Sequence, residues 1–225
     1  MFRIFAALVI STLLATGALA QDAKRSITNI AGDVYRFQNN FHFSIFVVTP
    51  DGVVVTDPIN KEAAEWLKAE IGKISNQPIK YLIYSHSHLD HASGGGVFAE
   101  TAEVIAHNNA PAEIDGVAPN TRFDAEHSVE IGGKSIELTY LGKGHGDDLI
   151  AMVVRPENVA FAVDAVSVNR VPFRGFPRAD IAGIIQQIKA VESLDFDILA
   201  PGHGAMGVKA DAKSITSAVT SRLKG

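Results

Sequence analysis

Short apolar runs rich in β-branched and aromatic residues, each closed by a polar turn, fill the first quarter of the chain. Alternation or near-continuous hydrophobicity at residues 26–30, 34–38, 43–49 and 53–56 predicts four strands, with Pro50-Asp51-Gly52 turning between the last two. Then the period changes. Ala63, Trp66, Leu67, Ile71 and Ile74 recur at helical spacing, which predicts a helix over 61–74, capped by Asn60 and ended by residues 76–78. A buried strand at 79–84, a polar segment at 85–96 and a strand at 103–106 complete the first half. The second half repeats that order in outline. Strands are expected at 128–131, 135–141, 149–154 and 159–163, then a helix over 179–194, a short strand at 196–199 and a closing helix over 208–223. Two halves of similar order imply an α/β protein in which two mixed sheets pack together with helices outside.

The first twenty residues stand apart from this pattern. A basic start ending at Arg3, an apolar run to Leu14 and Ala18-Leu19-Ala20 before Gln21 read as a secretory signal. The apolar run is shorter than the roughly 20 residues of a bilayer span. Residues 1–20 are therefore expected to be removed. That leaves 21–225 as one exported domain, placed in the periplasm, with no cysteine for a lipid anchor.

Composition narrows the chemistry. The 225 residues are 47% apolar and 20% charged, include eight histidines and no cysteine, and carry a net charge of −5. Thiolate metal ligands, thiol nucleophiles and iron–sulfur clusters are excluded, so metal chemistry would rest on histidine and carboxylate. No basic stripe is present, which argues against nucleic acid and for a small-molecule substrate.

The densest chemistry follows the strand at 79–84. Ser85-His86-Ser87-His88-Leu89-Asp90-His91 places three imidazoles and a carboxylate on one short loop, where a sheet can aim them at a common point. At this chain's own residue frequencies the pattern would arise by chance roughly six times in ten thousand, so the cluster is treated as a ligand set. His145, Asp164 and His203 each lie just past a predicted strand, and loops at one sheet edge can converge. Glycines beside His145 and His203 permit tight turns.

With Gly144-His145, Phe161-Ala162-Val163-Asp164 and Pro201-Gly202-His203-Gly204 in that order after His86-x-His88-x-Asp90-His91, the chain resembles the metallo-β-lactamase superfamily. The likeness extends from the region of Asp57 to His203. It implies a four-layer αββα sandwich with a two-metal site in a cleft at one sheet edge. His86, His88 and His145 would hold one ion, Asp90, His91 and His203 the other, and Asp164 would bridge them. Two divalent ions, zinc in the first place with iron or manganese compatible, would generate a hydroxide that attacks a substrate carbonyl, with Asp90 relaying a proton.

The resemblance also ranks the activities. Asp164 stands where well-known secreted lactamases have cysteine or serine, and matches glyoxalase II and lactonases. Val163 replaces a glycine that many members carry, so a different turn is expected there. His88, where diiron reductases have glutamate, favours hydrolysis. The 22 residues after His203 leave no room for the helical domain of glyoxalase II. The expectation is an exported dinuclear hydrolase of an amide or lactam, a lactone or a thioester. The alternatives are a mononuclear iron persulfide dioxygenase-like enzyme and a non-catalytic metal-holding accessory protein.

Several residues carry paired readings. Asp57 ends a strand and would orient a metal ligand or cap the following helix. His42 sits on a hairpin that would overhang the cleft and meet substrate, although an ordinary surface histidine is the plainer reading. Arg174, flanked by Arg170 and Arg178, would pair a substrate carboxylate or form an ordinary basic loop. His107 and His127 lack a partner pattern and read as structural.

Overall fold

Two sheets lie face to face, and their central strands, such as β4 (Gly52–Thr56), β10 (Ile150–Arg155) and β11 (Val159–Ala162), are buried on both sides. The computed structural model describes residues 23–169 and 180–222. The N-terminal sheet contains β1 (Arg25–Ala31), β2 (Val34–Asn39), β3 (His42–Thr49), β4 (Gly52–Thr56), β5 (Ile79–Ile83), β6 (Glu103–His107) and β7 (Thr121–Phe123), in that spatial order. The second sheet runs β13 (Gly207–Val208), β12 (Ile198–Pro201), β11 (Val159–Ala162), β10 (Ile150–Arg155), β9 (Lys134–Tyr140) and β8 (Glu126–Ile131). The first four strands form antiparallel pairs, whereas β4, β5, β6 and β7 are parallel.

The helices cover the outer faces. Helix α1 (Lys61–Ile74) crosses from β4 to β5, with the short α2 (Leu89–Ala92) and α3 (Gly96–Ala99) between β5 and β6. Helix α4 (Ile181–Ser193) crosses from β11 to β12, and α5 (Lys209–Arg222) closes the described chain. Asn60 caps α1 by accepting from the Ala63 N–H, and Asp180 caps α4 by accepting from Gly183. No helix among the described residues is long and apolar enough to cross a membrane.

Strand alternation sorts side chains into three cores. Ile45, Val47 and Val54 of the first sheet meet Ile150, Met152, Val154 and Phe161 of the second, while Phe46, Val53 and Val55 turn outward to Leu67 and Ile71 of α1. On the far side Ala151, Val153, Ala160 and Ala162 face Ile184, Ile188 and Val191 of α4. Small alanines on β11 let the helix approach, and Phe161, fully buried between the sheets, contributes about 1.5–3 kcal/mol. The layers are thus helix, sheet, sheet, helix.

Most predicted elements form with ends shifted by one or two residues. The polar segment at 85–96 holds the short helix α2 and leads into α3, and their single turns are too brief to show a period. Strands β7 and β13, of three and two residues, carry too few side chains for an alternation to register. The short strand predicted at 196–199 forms at Ile198–Pro201, because Phe196 is taken up by the α4 core and pairing with β11 starts at Ile198. Residues 1–22, and with them the signal reading, lie outside the described residues, as do Arg170, Arg174 and Arg178.

Candidate metal centre

Strand directions bring the chemistry to one edge. Strands β4 and β5 are parallel, and β3 is antiparallel to β4, so the start of β3 shares an edge with the ends of β4 and β5. In the second sheet β9, β11 and β12 all point the same way. His42, Asp57, the 85–91 segment, His145, Asp164 and His203 therefore emerge together from two sheets. Cross-sheet hydrogen bonds, Phe43 N–H to Gly202 O at 2.8 Å and Ile150 N–H to Ser85 O at 2.9 Å, lock the edges to each other.

The side chains form two clusters. One contains His86, His88, His145 and Asp164, the other His42, Asp90, His91 and His203, and within each cluster one nitrogen or oxygen per residue lies within 4.8 Å of the rest. Asp164 touches both. Its Oδ2 is 3.0 Å from His145 Nε2, 3.5 Å from His91 Nε2 and 3.7 Å from His86 Nε2, and its Oδ1 is 3.2 Å from His203 Nε2. This reach depends on backbone strain. Asp164 adopts φ 57°, an uncommon left-handed conformation for a residue with a Cβ. The preceding Val163 is buried, and Gly202 makes room for it, since a Cβ on Gly202 would lie 2.6 Å from Val163 Cγ1.

Hydrogen bonds set which ring nitrogens face inward. The buried Asp57 accepts from Ser85 N–H at 2.8 Å and from the Ser85 hydroxyl at 2.6 Å. With its proton committed to Asp57, Ser85 Oγ accepts from His86 Nδ1 at 3.0 Å. His86 Nε2 then carries a lone pair, is buried, and has no hydrogen-bond partner among the described residues. His203 donates Nδ1–H to Phe41 O at 2.9 Å, which likewise leaves Nε2 free to bind. His88 Nδ1 stands 3.0 Å from His145 Nε2, and His91 Nε2 stands 3.1 Å from His203 Nε2. These spacings are close to the edge of a tetrahedral shell, roughly 3.3 Å for nitrogen ligands at about 2.0–2.1 Å. A buried lone pair without a donor and facing nitrogens at ligand spacing fit metal cations.

Electrostatics point the same way. Burial pushes the His86 imidazole down to about 3 and, with the neighbouring His145, lowers His88, so both are neutral at pH 7. Burial alone would raise Asp164, but hydrogen bonds from His145, His203 and His91 hold its carboxyl far below the usual range. The Asp164 hydrogen bond raises His203, and burial of His91 is outweighed by Asp164 and Asp57, which raise it. Without cations the cluster must hold protons instead. Asp57, pushed up to about 6 by burial, is the one carboxyl here that approaches neutrality.

Asp57 does not cap α1, a role that belongs to Asn60; it acts through Ser85 and lies 4.0 Å from His91 Nδ1. His42 is no isolated surface residue either, since its ring packs edge-on against His91 and His203. His107 donates its Nε2–H to Asp124 O and stacks on Tyr140, and His127 stacks on Phe123. Sequence reasoning missed Gln187. This fully buried side chain accepts from His145 N–H at 2.8 Å and donates to Gly142 O at 2.7 Å, clamping the loop of His145 onto α4. Its signal was a lone polar residue on an otherwise apolar helix face with Ile184, Ile188 and Val191.

Comparisons with known proteins agree with this geometry. The family model described as metallo-beta-lactamase superfamily matches residues 39–203, well over half the chain. Among solved structures, a metallo-beta-lactamase from Pontibacter korlensis superposes with a TM-score of 0.79 at 20% identity, covering 88% of this chain and 99% of that one. Another, from Hirschia baltica, gives 0.73 at 18% identity, covering 87% and 97%. At such identities the likeness is one of fold. A 2,4-dinitroanisole O-demethylase subunit alpha from Nocardioides sp. (strain JS1661) is 27% identical over 184 residues, 77% of this chain. The match spans 56% of that relative, so the chain accounts for little more than half its length.

Proposed function

Because this chain belongs to the metallo-β-lactamase superfamily, we propose that it is a dinuclear metal-dependent hydrolase acting on a small carbonyl substrate. The substrate class is an amide or lactam, a lactone or a thioester. One observation carries the reading: a single carboxylate, Asp164, reaches both donor clusters, its Oδ2 against His145 of the first and His91 of the second and its Oδ1 against His203 of the second. His86, His88 and His145 would hold the first ion, Asp90, His91 and His203 the second. Two divalent ions, zinc by preference, would supply Lewis acidity to the substrate carbonyl and lower the pKa of a water for attack.

The chain's own residues prepare that chemistry. Asp57 and Ser85 fix the His86 tautomer, and Gln187 fixes the backbone of His145. Asp164, ionised throughout the working range, offsets charge between the two positions. Asp90 is more than half exposed, so it is placed to take or relay a proton on the open side. Export to the periplasm is part of the proposal, supported by the signal-like residues 1–20. The acidic net charge and the absence of a basic stripe support a small molecule rather than nucleic acid as substrate.

The test combines metal content with turnover. Purified protein is expected to carry about two zinc ions per chain and to hydrolyse members of a nitrocefin, lactone and thioester panel in a chelation-sensitive way. One iron with oxygen uptake and no hydrolysis would replace this reading with the oxidative one. The similarity to an O-demethylase subunit adds an aryl methyl ether to the panel. Turnover of that compound alone would move the scissile bond from a carbonyl to an ether.

A further inference from the structure

We propose that His42 is a fourth protein donor at the Asp90, His91 and His203 position, and that it makes this position a closed one. The inference rests on the two-ion reading above. His42 Nε2 lies 3.4 Å from Asp90 Oδ2, and its donor atom falls within 4.8 Å of those of Asp90, His91 and His203. Its ring centroid is 4.7 Å from that of His203 and 5.2 Å from that of His91.

The backbone around His42 is built to hold it there. Phe41 O accepts from His203 Nδ1 at 2.9 Å, and Phe43 N–H donates to Gly202 O at 2.8 Å. The residues on either side of His42 thus bond to the loop that carries His203. Asn40, at φ 56°, makes the tight turn, and its N–H donates to Lys24 O. A side chain pinned through both neighbours loses little further freedom on binding an ion, unlike a histidine on a free loop. The side chain also keeps only 28% of its exposure, so it is drawn into the cluster rather than out to water.

Four protein donors plus the Asp164 carboxylate would make five, which fills the shell of a zinc-sized ion, usually four- and sometimes five-coordinate. The first position, with three histidines and Asp164, is then the more open of the two and the place for substrate oxygen to bind. Asp90 would be held by His42 on one side, which orients the residue proposed to relay the proton.

The experiment titrates zinc and cobalt into metal-free full-length protein against a chromophoric chelator, with the cobalt visible spectrum as a second readout. Wild type should take up two ions. His42→Ala keeps the Phe41 and Phe43 backbone bonds, and should weaken the second ion by about 10- to 100-fold while leaving the first unchanged. It should also shift only the cobalt bands that appear with the second equivalent. His42→Gln, which retains a donor atom, should recover part of the affinity. Unchanged second-ion affinity and spectrum in His42→Ala would overturn the assignment. So would equal weakening of both ions together with a lower melting temperature, which would mark a structural role. A wild type that binds only one ion would reject the dinuclear reading itself, and His42 as a ligand of a second ion with it.

Discussion

Two helix glycines make opposite predictions for the same substitution. Gly72 lies on the exposed side of α1 near its end, and a Cβ there would meet nothing within 4 Å. Gly72→Ala should stabilise by about 0.5–1 kcal/mol, through helix propensity and a less flexible unfolded chain. Gly183 is the third residue of α4, and a Cβ there would overlap the Lys143 carbonyl oxygen and come within 2.9 Å of Gly144 Cα. Both obstacles are backbone, so neither can rotate away. Overpacking costs about 1–3 kcal/mol, which exceeds the propensity gain and leaves a net loss of about 1–2 kcal/mol. For a chain of this size the melting temperature should rise by roughly 1–4 °C in Gly72→Ala and fall by roughly 2–8 °C in Gly183→Ala. Since Lys143 and Gly144 lead into His145, the second variant should also bind its first metal ion several-fold more weakly. Thermal denaturation of both variants, with and without zinc, measures the signs. If Gly183→Ala melts higher and binds zinc as tightly as wild type, the close approach of α4 to the His145 loop is not what positions His145.

Three further predictions concern the supports of the site. Gln187→Ala removes the acceptor of the His145 N–H and leaves buried groups unpaired, so it should cost about 2–4 kcal/mol in urea denaturation and weaken metal binding about tenfold or more; unchanged chelator competition would count against the clamp. Burial raises Asp57 from 3.8 to about 6, so in metal-free protein its contribution is fully present below pH 3.8 and is lost as pH rises through about 6. Asp57→Asn should escape that loss, about 3 kcal/mol by pH 7, and stability curves that run parallel from pH 4 to 7 would refute it. Gly202→Ala would press on Val163 and on His91 Cε1 at 3.2 Å, costing about 1–3 kcal/mol, and adding Val163→Ala should recover part of it; additive losses in the double variant would refute the contact.

Most of the strand and helix pattern was legible because its causes are local. A strand buried on both faces must be apolar, as β10 is over residues 150–154, and a helix over one core must repeat at 3.6, as Ala63, Leu67 and Ile71 do. The 85–91 cluster was legible for a chemical reason, since dense imidazole and carboxylate on one loop have few other uses. His145, Asp164 and His203 could be named as strand-end residues, yet nothing local states that three distant loops meet. That follows from the parallel course of β9, β11 and β12 and from the cross-sheet hydrogen bonds at Phe43 and Ile150.

What the sequence by itself determined, then, is the inventory: apolar periods, capping residues, histidines without cysteines, and glycines beside His145 and His203. Only the tertiary structure decided which of these residues face each other. It moved Asp57 from a possible helix cap to the Ser85 and His86 chain, drew His42 from a hairpin tip into the Asp90 cluster, and revealed Gln187 as the hold on His145. The physical reason is range. Periodicity and capping act over a few residues of chain, whereas these contacts join positions 28, 48 and 42 residues apart and exist only once both sheets have paired and packed.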